Sequence, residues 1–241
     1  MNNLIPHLIE FRRRVIFCTF FVFTLFIGLF AIDEHLYTMI ARPLLAELPA
    51  GNTMIATEVM TPFMVPMKLA WITAIFCAVP VLSYQLWAFI APGLYPNEKQ
   101  TVLPFLIGSL VLFYGGVFFS YTVICPMALG FFAKSAPANV MVMTDIKAYL
   151  DFVLTVLLAG GLAFQVPIVT LTVVKANLVS IEQLEYLRPY IIVAAFVLGM
   201  LLTPPDVVSQ ILLALPMWGL FEAGLLTAKY LKKKPSTNNA L

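Results

Sequence analysis

The chain has 241 residues, of which 61% are hydrophobic and 11% are charged, and its formal net charge is +2. The mean hydropathy of +0.96 excludes a soluble globular domain and predicts an all-α integral membrane protein. The small net charge says little about partners, and we expect no nucleic acid among them. Cys18, Cys77 and Cys125 are odd in number and lie in apolar runs, which favours small hydrophobic residues over a disulfide or a metal site.

Long apolar segments predict four transmembrane helices before residue 175. A helix needs about 20 apolar residues, at about 1.5 Å each, to cross a hydrocarbon core of about 30 Å. Four segments are close to that length or exceed it: 15–32, 67–90, 102–124 and 149–174. The first follows three arginines, as the apolar core of a signal peptide would, but no small-residue cleavage site comes after it, so we expect it to be retained.

A fifth apolar stretch is divided by two adjacent prolines. Pro205 has no N–H to donate, and Pro204, which precedes a proline, is pushed out of the helical region. The division predicts short fifth and sixth spans at 190–202 and 207–227. Residues 190–202 would reach only about 20 Å as a helix, so the hairpin should lie in thinned bilayer or behind other helices. Alternatively, this helix begins at Arg188 and gains a turn.

Basic residues predict the orientation, because they concentrate in cytoplasmic segments beside the spans. With the N-terminus inside, six spans place ten basic residues in the cytoplasm, namely Arg12, Arg13, Arg14, Lys99, Lys175, Arg188, Lys229, Lys232, Lys233 and Lys234. The other side holds four, Arg42, Lys68, Lys134 and Lys147. The chain is thus predicted to be one membrane domain over 1–241 with both termini cytoplasmic. Its basic tail, 228–241, is interpreted as a stop-transfer and lipid anchor.

The two predicted outer loops, 33–66 and 126–148, are rich in proline. So many prolines are unsuited to long regular elements and indicate a rigid extracytoplasmic cap. They are Pro43, Pro49, Pro62, Pro66, Pro126 and Pro137. Lys68, which opens the second span on the same side, is interpreted as a snorkelling anchor.

Two segments on the predicted cytoplasmic face combine a glutamate with specific neighbours. The first, 7–14, would place Glu10 four residues before Arg14 on a helix, which allows a supportive charge pair; alternatively it is only an interfacial anchor. The second, 87–98, should end the second span with a Pro-Gly turn and deliver Glu98 near the start of the third helix. A carboxylate there can also simply complement the helix dipole.

Four ordered motifs make the chain resemble a known family. They are HLIEFRRR at 7–14, FIAPGLYPNE at 89–98, the tract 119–132 and GMLLTPPD at 199–206. These motifs closely resemble the TatC family, the multispanning receptor subunit of the twin-arginine protein translocase. The resemblance covers nearly the whole chain, and the motifs are spaced as six spans require.

The resemblance implies that Glu10 and Glu98 receive the paired arginines of a twin-arginine signal peptide. A guanidinium makes forked bonds to a carboxylate, whereas lysine offers a point charge, so two carboxylates can discriminate Arg-Arg from Lys-Lys. The neighbouring surface would be shaped by Phe89, Pro92, Leu94 and Tyr95. Arg12 and Arg13 match the family's basic pair and would position the segment at the headgroups.

The resemblance also implies partners in the inner membrane of a bacterium. These are single-span TatA/TatB-type subunits, further copies of the chain in a receptor complex, and lipids, with export driven by the proton gradient. Single-span helices are expected to dock at the fifth–sixth hairpin, where Met200, Thr203 and Gln210 are candidate contacts or alternatively pack internally. Pro43 and Asp206 match family positions and would brace the outer side and the hairpin.

Polar residues inside predicted spans are costly in lipid and suggest a role, and Gln165 and Glu222 are the candidates. Gln165, in the fourth span, stands where many TatC-like proteins carry an acid. A neutral amide cannot carry a proton, but it can hydrogen-bond a partner helix or hold water. Glu222, in the sixth span, is either such a residue or an interfacial one that reaches the cytoplasm.

Two other classes of membrane protein compete with a receptor. A secondary transporter is permitted by six spans, proline-broken helices, Gln165 and Glu222, but no internal repeat is evident and the densest chemistry lies at the cytoplasmic edge. An intramembrane protease needs a nucleophile with a base, or paired aspartates, and Asp151 shows no partner in the sequence. The leading expectation is a non-enzymatic receptor without catalytic residues, cofactor or metal.

Overall fold

The computed structural model describes residues 4–32, 38, 55–94, 99–135, 144–202 and 207–233. These residues are almost entirely helical, with one isolated β-bridge between Ile55 and Asp145, so the all-α class is confirmed. The helices are α1 (Leu4–Phe30), α2 (Thr61–Leu94), α3 (Lys99–Phe119), a π-helical turn (Ser120–Ile124), α4 (Cys125–Ser135), α5 (Ile146–Ala163), α6 (Val166–Lys175), α7 (Ile181–Tyr186), α8 (Arg188–Leu202) and α9 (Val207–Lys233).

Within the described residues, five helical segments are long and apolar enough to cross a membrane. They are Leu8–Phe30, Thr61–Phe89, Leu103–Phe132, Ile146–Lys175 and Gln210–Tyr230. Helix α8 is apolar but has 15 residues, about 22 Å at the usual rise, which is short of the hydrocarbon core. It begins at Arg188, as the alternative allowed, and its role as a sixth span stays a prediction.

Helix α9 corrects the expectation of a short sixth helix. It has 27 residues and continues beyond the predicted limit at 227 to Lys233. Its last turns are rich in leucine, alanine and lysine, which are strong helix formers, and no proline or glycine follows Gly224 before the helix ends.

Helix α2 extends beyond both ends of the predicted span 67–90 and has 34 residues. Pro62 lies in its first turn, where backbone N–H groups have no helical partner, so the N–H that proline lacks is not needed there. The pair Pro92-Gly93 does not end the helix, which continues to Leu94. The turn predicted at this pair is therefore wrong.

The prolines predicted to form an outer cap are helical where the structure describes them. Pro62 and Pro66 lie in α2, and Pro126 is the second residue of α4. The irregular loops predicted at these three positions are therefore wrong. Pro43, Pro49 and Pro137 lie outside the described residues, and a cap that they form stays a prediction.

The fourth predicted span is broken into helices α5 and α6. Pro167 has no N–H to donate to the carbonyl of Ala163, four residues earlier, so the helical ladder stops there. Gln165 consequently lies at the break and not inside a continuous helix; its backbone N–H donates to the carbonyl of Leu162 at 3.0 Å.

The helices pack in two compact units. The first unit comprises Met1–Leu110 and Cys125–Leu154, and in it α1 packs along α2, with Val22 buried against Ala74 and Ala78. Small residues on α2 let the two helices approach closely, which is the usual device for packing helices in lipid.

The second unit comprises Val111–Ile124 and Thr155–Leu241. Its core joins α7 and α9 through Ile181, Leu184, Phe221 and Leu225. A Cβ on Gly160 would overlap the hydroxyl oxygen of Ser120 in the π-helical turn. Glycine is therefore required for the close packing of α5 against that turn.

Candidate functional site

Glu10 lies on α1 within an ion pair and hydrogen-bond network that reaches α2. Arg14 donates to Oε1 of Glu10 through Nε at 3.0 Å and through Nη2 at 2.6 Å, which confirms the predicted charge pair. Its third nitrogen, Nη1, donates to Oε1 of Gln85 at 2.7 Å. One guanidinium thus connects a carboxylate on one helix with an amide on the next.

Aromatic side chains join the same two helices beside this network. The rings of Phe11 on α1 and Phe89 on α2 are tilted, with centroids 5.5 Å apart. Between the helices an adjoining apolar groove of about 210 Å³ is lined by Phe11, Arg14, Val15, Cys18, Thr19, Leu82, Gln85, Leu86 and Phe89. A polar cavity of about 340 Å³ is lined by Glu10, Arg13, Arg14, Phe17 and Gln85. A carboxylate therefore lies next to an apolar surface, as a ligand with a cationic and an apolar part would require.

The structure places some of the predicted site residues together and leaves others undescribed. Glu10 and Phe89 lie on facing helices, and Arg12 and Arg13 are exposed on α1. Pro92 and Leu94 lie in the last turn of α2, but their side chains are outside the description. Tyr95 and Glu98 lie outside the described residues.

Gln85 belongs to the candidate site, and the sequence reasoning missed it. It lies one helical turn before Phe89 on α2 and accepts a bond from Arg14. The available signal was an amide side chain inside an otherwise apolar run, since such groups are costly in lipid and usually have a polar partner.

Glu222 forms an ion pair between α8 and α9. Nη2 of Arg188 donates to Oε2 of Glu222 at 2.9 Å, and the side chains are 40% and 24% exposed. A second pair, Lys229 with Glu185, lies between α9 and α7. Because Glu222 is paired with a basic residue at the start of α8, it is not an isolated acid in the apolar part of its helix.

Gln210, on α9, contacts the backbone of α8. Its Nε2 donates to the backbone carbonyl of Phe196 at 2.9 Å, and a Cβ on Gly199 would lie 3.2 Å from the Gln210 carbonyl oxygen. This favours internal packing for Gln210. Met200 is exposed, whereas Thr203, Asp206 and Pro43 lie outside the described residues.

A second polar cluster joins α2 and α5 in the first unit. Nζ of Lys68 lies 2.6 Å from Oδ1 of Asp151, and Nζ of Lys147 lies 2.6 Å from Oε2 of Glu58. Asp151, which was considered as a protease aspartate, is therefore ion-paired with a lysine, and Lys68 is ion-paired as well as near the end of its span. Hydropathy does not reveal such a pair, because it depends on which helices are neighbours.

Asp145 lies in the same cluster, just before α5. Its carboxylate accepts a hydrogen bond from the hydroxyl of Thr57 and others from the backbone N–H groups of Lys147 and Ala148, which lower the pKa of this carboxyl below its ordinary value. The backbone bridge between Ile55 and Asp145 holds the two segments together. Among the described residues, no group of three His, Cys, Asp or Glu side chains is arranged to hold a metal ion.

Comparisons with known proteins agree on one family. The sequence model of TatC, described as Sec-independent protein translocase protein, matches residues 6–216. The chain is 49% identical to the Sec-independent protein translocase protein TatC of Haemophilus influenzae over 231 residues, which cover 96% of this chain and 90% of that protein. It is 46% identical to the protein of the same name from Escherichia coli strain K12 over 227 residues, which cover 94% and 88%. A crystal structure of the twin-arginine translocase receptor TatC superposes with a TM-score of 0.83 at 33% identity and covers 94% of this chain and 100% of its own.

Proposed function

Because this chain belongs to the TatC family of Sec-independent protein translocase proteins, we propose that it is the receptor for twin-arginine signal peptides. It is a multi-pass membrane protein and a component of a protein translocase. In the proposal, the Arg-Arg pair of a folded protein's signal peptide binds at the cytoplasmic face through Glu10 and Glu98.

The observation that carries the proposal is the guanidinium already held by Glu10. The Glu10 side chain is 43% exposed and accepts two bonds from an arginine, so its position and environment are compatible with a peptide arginine. Charge-assisted bonds of this kind are about twice as strong as neutral ones. A lysine ammonium, which lacks the planar fork, would gain less at the same carboxylate.

The adjoining groove supplies the second part of the recognition. The apolar residues that follow the arginines would lie against Phe11 and Phe89, whose rings already pack together across the two helices. The loop residues Pro92, Leu94 and Tyr95 would extend this surface towards Glu98, and Arg12 and Arg13 would hold α1 at the headgroups. Apolar burial of this kind contributes about 25 cal/mol per Å².

The wider proposal follows the family. The chain would span the bacterial inner membrane six times, with both termini in the cytoplasm, and would work with single-span TatA/TatB-type subunits and further copies of itself. Export would be driven by the proton gradient. Gln165 carries an amide that does not ionise, so it would act by hydrogen bonding at the break between α5 and α6 and not as a proton carrier.

Equilibrium binding tests the proposal. A labelled Arg-Arg signal peptide and its Lys-Lys counterpart are titrated with the full chain in nanodiscs, using wild type, Glu10→Gln and Glu98→Gln. We expect selective binding of the Arg-Arg peptide that both substitutions weaken about tenfold or more, as expected for loss of a charge-assisted bond of about 1.5–3 kcal/mol. Glu185→Gln, which removes a glutamate elsewhere, is the matched control. Binding that is indifferent to the arginines and to both glutamates would refute the proposal.

A further inference from the structure

Arg14 occupies the carboxylate that the proposed function assigns to the signal peptide. Its Nε and Nη2 both end on Oε1 of Glu10, at 3.0 Å and 2.6 Å. The Arg14 side chain is 25% exposed and that of Glu10 is 43% exposed, so Glu10 is the more accessible member of the pair. In the empty receptor, Glu10 is already bound to an arginine of the chain itself.

An incoming guanidinium that makes the same bonds must displace this resident one from Oε1. Arg14 has a second acceptor to keep, because its Nη1 already donates to Gln85 at 2.7 Å. Release of Glu10 therefore breaks one ion pair and leaves Arg14 held on α2. The polar cavity beside Glu10, about 340 Å³, gives a ligand access to the pair.

We propose that Arg14 is a resident competitor that sets the affinity of the receptor: it holds Glu10 in the empty state and stays on Gln85 when a signal-peptide arginine takes the carboxylate. This inference rests on the proposed function. The ion pair with Arg14 keeps the half-exposed Glu10 carboxylate paired when no signal peptide is bound, and it raises the peptide concentration needed to occupy the receptor. Weak cationic ligands are then excluded first.

The size and form of the effect follow from competition. A ligand that binds only the fraction of receptors with Glu10 available has its Kd raised by the inverse of that fraction. An ion pair between partly exposed groups corresponds to a factor of about two to five. Because the same fraction applies to every ligand that needs Glu10, the ratio of Arg-Arg to Lys-Lys affinities should not change when Arg14 is replaced.

Two other roles for Arg14 give different results. If it positions Glu10 for the peptide, its removal weakens binding. If it only repels a cationic peptide, Arg14→Lys has no effect because the charge is kept, and Arg14→Gln tightens binding even when Glu10 is neutral. Under competition, Arg14→Lys tightens binding because the guanidinium fork is lost, and Arg14→Gln tightens it further.

The test measures the Kd of labelled Arg-Arg and Lys-Lys signal peptides for the full chain in nanodiscs. The variants are Arg14→Lys, Arg14→Gln and, as a control for one lost positive charge, Lys175→Gln. Each Arg14 substitution is also combined with Glu10→Gln. For each Arg14 variant, we expect the Kd values of the two peptides to fall by a common factor of about two to five, which is larger for Arg14→Gln than for Arg14→Lys. Neither substitution should change the Kd when it is combined with Glu10→Gln.

Three results would overturn the inference. They are weaker or unchanged binding in Arg14→Lys and Arg14→Gln, tightening that persists when Glu10 is neutral, and equal tightening in Lys175→Gln. Unfolding temperatures of all variants identify any loss of fold, and Arg14→Lys keeps the test decisive if Arg14→Gln is unstable. Wild type that binds neither peptide would refute the proposed function itself, which is a result distinct from these three.

Discussion

Single residues in this protein take their meaning from partners on neighbouring helices. Glu10 and Arg14 alone are an ordinary pair four residues apart, worth a few tenths of a kcal/mol on an exposed helix. Gln85 on α2 adds a bond to the same guanidinium and makes the pair part of a site between helices. The same holds for Asp151, whose interaction with Lys68 depends on the packing of α5 near α2.

The pair of Lys68 and Asp151 is a test of this view. The side chains are 49% and 43% exposed, so the pair should contribute about 0.2–1 kcal/mol. We expect Lys68→Met and Asp151→Leu each to lower the unfolding temperature slightly, because each leaves the other charge unpaired. The double variant should lose less than the sum of the two losses, because it leaves no unpaired charge. Strictly additive losses in a double-mutant cycle would show that the two side chains do not interact.

Asp145 predicts a dependence of stability on pH. Its folded-state pKa is lowered, first of all by the Thr57 hydroxyl, so its contribution is present above the ordinary value of about 3.9. It is lost as pH falls through the lowered folded-state pKa. We expect Asp145→Asn to be less stable than wild type at neutral pH and the difference to shrink below about pH 4. Thermal unfolding at both pH values checks this, and a difference that is independent of pH would contradict it.

Helices in this protein are broken or extended by features that hydropathy does not report. The apolar runs predicted where most helices lie, because lipid requires about 20 apolar residues. They did not predict the break at Gln165, which Pro167 causes, or the extension of α9 to Lys233. Gln85 was likewise missed, because the neighbour of a polar group in a span depends on tertiary packing.

Close packing of α9 against α6 depends on Gly224. A Cβ at Gly224 would lie 2.8 Å from Cα of Pro167, which is backbone and cannot move aside cheaply, whereas a Cβ at Gly219 meets nothing within 4 Å. We expect Gly224→Ala to destabilise the protein by about 1–3 kcal/mol. Gly219→Ala, on the same helix, should be neutral or stabilising by up to about 1 kcal/mol. Unfolding in detergent measures both, and equal effects of the two substitutions would contradict the packing.

At the scale of the whole molecule, the number of spans decides which side each segment faces. In the part of the chain that the structure describes, five helical segments are long and apolar enough to be spans, and the 15-residue α8 decides between five and six. In the proposed orientation, with the N-terminus in the cytoplasm, an α8 that crosses the membrane in a thinned region returns the end of α9 to the cytoplasm. In the same orientation, an α8 that does not cross leaves that end outside.

Accessibility of single cysteines settles this point. In a chain with Cys18, Cys77 and Cys125 replaced by alanine, a cysteine is introduced at Val59, Glu182 or Tyr230, all of which are exposed. We expect an impermeant maleimide to label position 59 in intact spheroplasts and positions 182 and 230 only after permeabilisation. Labelling of position 230 before permeabilisation would show that α8 is not a span.

In the proposed function, a twin-arginine signal peptide is received beside Glu10, at the groove between α1 and α2. The most direct measurement is photo-cross-linking from a peptide that carries benzoylphenylalanine next to its arginines, bound to the full chain in native membranes, followed by mapping of the adduct. We expect adducts in α1 near Glu10 and in α2 near Gln85 and Phe89, and we expect an excess of Arg-Arg peptide, but not of Lys-Lys peptide, to abolish them. Adducts concentrated near Gln165 or Glu222, or none on this chain, would contradict it.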